Sequence, residues 1–341
     1  MIWSTELLVI AEAGVNHDGD LRKAIDLVQA AKIAGADVVK FQHFRAESIV
    51  AGDAATAVYQ KTNTGTAKQY DLLKALELDL KDFATIAEVC RSEGIQFLCT
   101  PFDIDAAADL VAMGMRYLKV PSGELTNTPF LKRSAAFGLP VLLSTGMATM
   151  DEVATALSTL EQAGARDVTI LQCTSLYPAP PDAMNLRAMA AMAERFGRPV
   201  GFSDHSLDDY AAIAAVALGA TVIEKHFTLD RAAAGPDHRA SLEPDDFARM
   251  VRRLRETALA LGDGIKRPNA AEQDTARLVR RSWHAARSLQ AGQILVEDDI
   301  VLKRPLGGLP PDQSPAGRKL LTALPKDSFI RAEDVSADKR P

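Results

Sequence analysis

The chain has 341 residues, 47% apolar, 25% charged and 6% aromatic, which is enough to bury a full core and is foreign to a disordered segment. Its formal net charge of -6 and pI of 5.6 exclude sequence-independent nucleic-acid binding, which needs a basic surface to displace counterions from phosphate, so an anionic ligand requires cationic side chains gathered locally. Three cysteines, Cys90, Cys99 and Cys173, are too few and too scattered for a disulfide framework or a CxxC metal knuckle, and the expected setting is the reduced cytoplasm.

The first fourteen residues, MIWSTELLVIAEAG, carry no basic region ahead of a short apolar run. No apolar stretch in the chain nears the ~20 residues of a spanning helix. Neither a signal peptide nor a membrane segment is expected. From Leu7 onward one grammar repeats: a short β-rich apolar run, a polar turn, then an amphipathic helical stretch, the pattern of parallel strands joined by crossover helices. Eight runs are found: LLVIAEAG from Leu7, ADVVKFQ from Ala36, QFLCTPF from Gln96, RYLKVPSG from Arg116, PVLLSTGM from Pro140, VTILQCT from Val168, PVGFSDH from Pro199 and TVIEKHF from Thr221. Helical segments such as LRKAIDLVQAAKIAG, MDEVATALSTLEQAGA and LDDYAAIAAVALGA follow them and close in Gly or Gly-Ala, as helix C-termini prefer. Eight βα units in about 260 residues predict an α/β fold of the TIM (β/α)8 barrel type. An open doubly wound sheet is the competitor, but its GxGxxG fingerprint follows none of the strands.

The stretch from Arg45 to Lys68 interrupts the pattern and reads as a polar, irregular loop over the barrel mouth. After the eighth strand, PDDFARMVRRLRETALALG predicts a helix with Pro244 near its start and Gly262 past its end, and a linker then leads to a boundary near Arg280. Residues 1–280 are therefore assigned to the barrel with its trailing helix and linker, and 281–341 to a second domain. That tail contains a repeat: Ala286–Ile300 aligns with Leu321–Val335, matching Leu289 with Leu324, Ile294 with Phe329, Leu295 with Ile330, Asp299 with Asp334 and Ile300 with Val335. Two such units around KRPLGGLPPDQSPAG predict a small pseudo-symmetric β-rich module of about 60 residues, a size marginal for independent stability.

Barrel active sites are built from the C-terminal ends of the strands, so those ends describe what faces one pocket. Strand one ends in Glu12, Asn16 and His17, strand two in Lys40 and Gln42, strand three in Thr100 and Phe102, and strand four in Lys119, Ser122 and Glu124. Strand five supplies Ser144 and Thr145, six supplies Thr174, Ser175 and Tyr177, seven Ser203, Asp204 and His205, and eight Glu224, Lys225 and His226. His205 and His226 end adjacent strands and are candidate ligands of one divalent ion, the alternative being two independent polar residues at the rim. Lys40 and Lys119 lie inside apolar runs, where an ammonium needs a partner. With Thr100, Ser122, Ser144 and Ser203 they suit a phosphate plus a carboxylate, the alternative being an internal ion pair with Glu12 or Glu124. Alternation along the strand turns Lys225 away from Glu224 and His226. Glu12 and Glu124 are the acids suited to water activation or proton transfer. Asn16 and His17 read partly as a helix start with Asp18 or Asp20 as N-cap, and His43 and His284 as surface or packing residues.

The strings AEAGVNHDGD, VVKFQ, CTPFD, KVPSGE, LSTGM, CTSLYPAP, GFSDHS, EKHFTLD and GPDHRASLEPDDF, in this order, resemble the sialic acid (N-acetylneuraminate) synthase family, the phosphoenolpyruvate-dependent synthases of nonulosonic acids. The tail, with KRPLGG inside it, resembles that family's C-terminal antifreeze-like (SAF) domain. The resemblance implies a TIM barrel that condenses phosphoenolpyruvate with an N-acetylmannosamine-type aldehyde sugar and releases phosphate. It implies a divalent metal, Mn2+ in first place with Mg2+ or Co2+ as alternatives, on His205 and His226. Lys40, Thr100, Lys119, Ser122, Ser144 and Ser203 would hold phosphoenolpyruvate, and Glu12, Gln42, Tyr177 and Asp237 would face the sugar. Glu12 or Glu124 would manage water and protons. It further implies a domain-swapped homodimer in which the antifreeze-like domain of one subunit caps the other's barrel and sends Arg304 to the sugar's N-acetyl group. Ser175 stands where sialic acid-making members usually carry Asn, which leaves open a legionaminic or pseudaminic acid synthase using a diacetamido-trideoxy hexose. The remaining alternative is a non-catalytic carbohydrate-binding relative. A second departure, Lys326-Asp327 in place of Lys-Gly in the tail repeat, bears on local turn geometry.

Overall fold

The computed structural model describes residues 7–51 and 53–337, in two compact units, Met1–Gly262 and Asp263–Pro341. In the first unit eight parallel strands run in the order β3-β2-β1-β8-β7-β6-β5-β4. They are β1 (Leu8–Gly14), β2 (Val38–His43), β3 (Gln96–Pro101), β4 (Leu118–Val120), β5 (Val141–Ser144), β6 (Val168–Cys173), β7 (Val200–Asp204) and β8 (Val222–His226). Strands β1 and β8 pair, and β3 and β4 stand side by side where the described residues form no ladder, so the sheet is a nearly closed (β/α)8 barrel, as the eight-unit count predicts. Helices cover the outside, so both strand faces are shielded and the runs stay apolar almost throughout.

The helices are α1 (Leu21–Ile33), α2 (Ala46–Ile49), α3 (Val58–Thr64), α4 (Gln69–Leu76), α5 (Leu80–Glu93), α6 (Ala107–Ala112), α7 (Thr128–Ala135), α8 (Met150–Gln162), α9 (Ala188–Phe196), α10 (Tyr210–Ala217), α11 (Pro244–Leu261) and, in the second unit, α12 (Ala270–Val279). Their ends follow the local chemistry of the sequence. Asp20 caps α1 by accepting from Arg22 N, and Thr149 and Glu152 form a reciprocal capping box on α8. Gly164 closes the α8 turn at φ 103°, a conformation costly for any residue with a Cβ. Among the described residues no helix is long and apolar enough to cross a membrane.

The stretch expected as an irregular loop is partly helical. It carries α2 and α3, and α4 follows it directly. The reason is a local apolar set: Leu72 and Leu76 bury against Val15 and Phe44, with Ile49, Leu73 and Phe102 packed alongside, a satellite core beside the barrel mouth. Asn63 ties α3 to the loop after β8 by donating to the Pro236 carbonyl at 2.8 Å.

In the second unit β9 (Ser282–Ala285) pairs antiparallel with β10 (Ile300–Lys303). The predicted repeat is present in the backbone. Its matched residues Leu289 and Leu324 exchange N–H···O bonds at 2.8 and 3.0 Å, and its matched acids cap equivalent turns, Asp299 accepting from Val296 N at 3.1 Å and Asp334 from Arg331 N at 2.8 Å. Leu289, Leu295, Ile300, Ile330 and Val335 share one small core with Leu320 and Leu309. The unit begins at Asp263, ahead of the 280/281 boundary drawn from sequence. Helix α12 joins it through Leu306 N donating to Arg277 O at 2.9 Å.

Candidate active site

Parallel register decides which strand ends share a level. Glu12 pairs with Lys40 on one side and His226 on the other, and Ser203 pairs with Cys173 and Glu224. The side chains meet in a cavity of about 380 Å³ at the C-terminal mouth. Glu12, Lys40, Gln42, Thr100, Lys119, Ser122, Ser144, Tyr177, Ser203, His205 and His226, all anticipated from the strand ends, line it. Among these, Ser122 reaches the cavity because Gly146, which has no side chain to block it, donates its N–H to the Ser122 hydroxyl at 2.9 Å.

Two buried lysines and two buried glutamates form its floor. The Lys40 ammonium lies 2.8 Å from Glu12 and 3.5 Å from Glu224, and 3.2 Å from Thr100 Oγ1; the Lys119 ammonium lies 3.7 Å from Glu224 and donates to Ser144 Oγ at 2.8 Å. Ser203 donates to Glu224 at 2.8 Å and Gln42 to Glu12 at 2.7 Å. The internal ion pair weighed as an alternative for Lys40 is thus formed, with Glu12, inside a cavity that also keeps the cation–hydroxyl set intact. Glu224, read only as support, is central.

The environments push the two acids apart. Burial raises Glu12 above the usual carboxylate range against the Lys40 ammonium, and the Glu224 charge adds to the rise. Burial also opposes ionisation of Glu224, but Lys119, Lys40 and the Ser203 hydroxyl outweigh it and bring Glu224 to about 2. Glu224 is therefore the fixed anion, and Glu12 is the group positioned to carry a proton. For Lys119 burial prevails and its pKa falls. For Lys40 the pull of burial is overcome by Glu12 and Glu224 and the pKa rises.

His205 and His226 lie with ring centroids 5.3 Å apart. His205 Nδ1 is 2.7 Å from the Thr174 carbonyl, which can only accept, so that nitrogen carries the proton and Nε2 has the lone pair. His226 Nδ1 is buried without a hydrogen-bond partner among the described residues. Burial, helped by His205 and Lys40, holds His226 well below the usual imidazole range, in the neutral form that ligates metals. For His205 burial pulls downward, but Cys173, whose sulfur is 4.0 Å from Nδ1, and the Thr174 carbonyl raise it overall. An unpartnered nitrogen beside a second oriented imidazole fits a divalent ion. Among the described residues no cluster of three or more His, Cys, Asp and Glu side chains with ligand geometry is present, which leaves the remaining positions to water and substrate.

The other anticipated residues separate. Glu124 does not line the cavity: the 3-10 turn Ser122–Glu124 carries it beyond the end of β4, and its carboxylate accepts from Asn127 at 2.6 Å beside the cap of α7. Arg304 is an exposed residue of the second unit. His43 and His284 are packing residues, buried against Phe83 and Phe329. Tyr59 and Gln69, from the interrupting segment, line the cavity without having been anticipated, and Tyr59 stacks on Tyr177 at 5.1 Å. No periodic signal marks either one; an aromatic inside an otherwise polar insertion is the only cue.

Asp237 faces an adjoining cavity shared with Tyr177 and His226. Burial and the Glu12 charge raise it from 3.8 to about 6, with His205 and His238 opposing. Between those values the folded protein holds a proton that the unfolded chain lacks, so raising pH through this window weakens the fold by about 3 kcal/mol. Asp237→Asn is expected to match the wild-type melting temperature near pH 4 and to exceed it above pH 6. Parallel melting curves at all pH values would refute this.

Residues 27–266 match the NeuB family and residues 280–336 the SAF domain. The chain is 43% identical over 305 residues to an N,N'-diacetyllegionaminic acid synthase of Campylobacter jejuni, covering 89% of this chain and 91% of that protein. To the protein of the same name from Legionella pneumophila it is 42% identical, covering 98% of this chain and 96% of that one. Among solved structures, the N-acetylneuraminic acid (sialic acid) synthetase of Leptospira borgpetersenii superposes with a TM-score of 0.71 and 33% identity over 79% of this chain and 90% of that one.

Proposed function

The chain belongs to the NeuB family, and from that premise we propose that it condenses phosphoenolpyruvate with a 2,4-diacetamido-2,4,6-trideoxy hexose to give a legionaminic-type nonulosonic acid and phosphate. The observation that carries the condensation is the floor of the cavity, where Lys40 and Lys119 stand among four hydroxyls beside the two imidazoles. Ammonium groups and directed O–H donors are the chemistry that holds a phosphate and a carboxylate at once. The N-acetylneuraminate product implied by the motifs is the coarser fit. Identity of 42–43% to two legionaminic acid synthases against 33% to the sialic acid synthetase supports the diacetamido sugar, and so does Ser175, which lines the cavity where Asn is usual.

In this reading C3 of phosphoenolpyruvate bonds to the sugar's aldehyde carbon, water adds at C2, and phosphate leaves. Lys40, Lys119, Thr100, Ser122, Ser144 and Ser203 hold the phosphate and carboxylate. Glu224 keeps the lysines charged and aimed, and Glu12 moves the proton of the added water, with Gln42 fixing its carboxyl. His205 and His226 hold the divalent ion, Mn2+ in first place, which when bound polarises the aldehyde oxygen as a Lewis acid. Phosphate release dependent on both substrates is the test. We expect a higher kcat/KM for the diacetamido sugar than for N-acetylmannosamine and loss of release with chelator; no release with any such sugar would sink the assignment.

We extend the reading to a cytoplasmic, domain-swapped homodimer in which Arg304 of the partner subunit reaches the sugar. Arg304→Ala should then raise KM for the sugar more than for phosphoenolpyruvate, and equal effects on both would argue for a surface arginine.

A further inference from the structure

Beside the cavity described above lies a second chamber of about 240 Å³. The two spaces share Gln42, Tyr59, Gln69, Phe102, Tyr177 and His226, so the chamber opens directly on the imidazole that faces the aldehyde in the proposed reaction. Its far end is apolar, closed by Phe44, Ile49, Leu72, Leu73 and Leu76. These are the side chains that make the interrupting segment helical, and they are part of a packed cluster that exists without ligand. The wall is also fixed from outside: Asn63 pins α3 to Pro236, and Tyr59 is stacked on Tyr177.

One polar group in this chamber is unsatisfied. Gln60 lines it, and its Oε1 is buried with no hydrogen-bond partner among the described residues. A carbonyl oxygen can only accept, so it calls for an N–H or O–H donor from whatever fills the space.

Resting on the synthase reading above, we propose that this chamber is the specificity site for the distal end of the sugar, taking a C6 methyl against Leu73 and its neighbours and a C4 acetamido group whose N–H donates to Gln60 Oε1. N-acetylmannosamine carries hydroxyls at both positions. A hydroxyl at C6 meets an apolar wall, and one at C4 lacks the acyl methyl that fills the remaining volume. A diacetamido-trideoxy hexose supplies a methyl to the first and a donor with an apolar end to the second. The segment that breaks the barrel's repeat is, on this view, the element that chooses the sugar.

The experiment compares kcat/KM for three aldehyde sugars in wild type, Leu73→Gln and Gln60→Leu: N-acetylmannosamine, 2-acetamido-2,6-dideoxymannose and 2,4-diacetamido-2,4,6-trideoxymannose. Both substituted residues are only partly buried, and the second variant decides the matter if the first fails to fold. A hydrophobic pocket discriminates by roughly 10- to 200-fold per group. Leu73→Gln is expected to lower the preference for the 6-deoxy sugar over N-acetylmannosamine at least ~10-fold, and Gln60→Leu to lower that for the diacetamido sugar over the monoacetamido one by a similar factor. Ratios unchanged within about twofold in both variants, with wild type still preferring the diacetamido sugar, would overturn the chamber assignment and leave the synthase reading standing. Wild type preferring N-acetylmannosamine overturns the chamber and the sugar assignment together, and absence of phosphate release with all three removes the synthase reading on which both rest.

Discussion

Replacing His226 with alanine is expected to lower turnover by on the order of 100- to 1,000-fold while leaving the melting temperature close to that of wild type. The side chain sits at the last residue of β8, in the cavity lining and outside the apolar core clusters. It is held neutral by burial, by His205 and by Lys40, and its Nδ1 has no hydrogen-bond partner among the described residues. A buried imidazole kept this way lowers stability in the absence of a ligand, so its removal leaves little folding energy to lose. What is lost is a ligand of the metal. Calorimetric titration of the variant with Mn2+ should show weakened binding in parallel with the loss of turnover. Full turnover by the variant, or wild-type turnover unchanged in metal-depleted buffer, would refute the assignment.

The barrel was legible because its signal is repeated. Eight apolar runs alternating with helical segments leave few architectures, and the convergence of parallel strand ends then converts sequence positions into neighbours. That is why Lys40, Lys119, Ser144, Ser203, His205 and His226 could be placed in one cavity from their distance to a strand end alone. The same rule misplaced Glu124. It stands four residues past Val120, the last residue of β4, and a 3-10 turn carries it out to Asn127, whereas Glu224 lies within β8 and stays under the two lysines. Offset from the strand end matters as much as residue type.

The interrupting segment was illegible for the opposite reason. Ile49, Tyr59, Leu72 and Leu76 come from three short helices, none long enough to show a 3.6-residue period, and their apolar faces are satisfied by Val15 and Phe44 from other parts of the chain. In the tail, by contrast, the internal repeat revealed paired positions without any period. Its one departure has a visible consequence: Asp327 takes φ 66° where the first copy has Gly292 at φ 90°, and it forms an ion pair with Lys303.

Lys225 was ranked last among the three polar residues that end β8, and it does point away from the cavity. It is nevertheless fully buried, and Lys225→Met is expected to be among the most destabilising single substitutions in the chain. Its ammonium donates to Asp204 Oδ2 at 2.9 Å, to the Ser206 carbonyl at 2.5 Å and hydroxyl at 3.1 Å, and to the Asp208 carbonyl at 2.9 Å. Both Lys225 and Asp204 have no solvent exposure. Burial pulls the lysine below its ordinary pKa against the opposing pull of Asp204, so the pair is held by geometry and not by a large surplus of charge attraction. Methionine leaves Asp204 buried and unpaired and strips donors from two carbonyls, at a cost of about 3–5 kcal/mol. Adding Asp204→Asn should recover part of that loss, because the second change removes the stranded charge. Denaturant unfolding of the single and double variants measures both, and additive losses would show that the two side chains do not act as a pair. The loop that Lys225 gathers begins at His205. A variant that folds is therefore expected to bind Mn2+ more weakly than wild type although Lys225 touches neither the metal site nor the cavity.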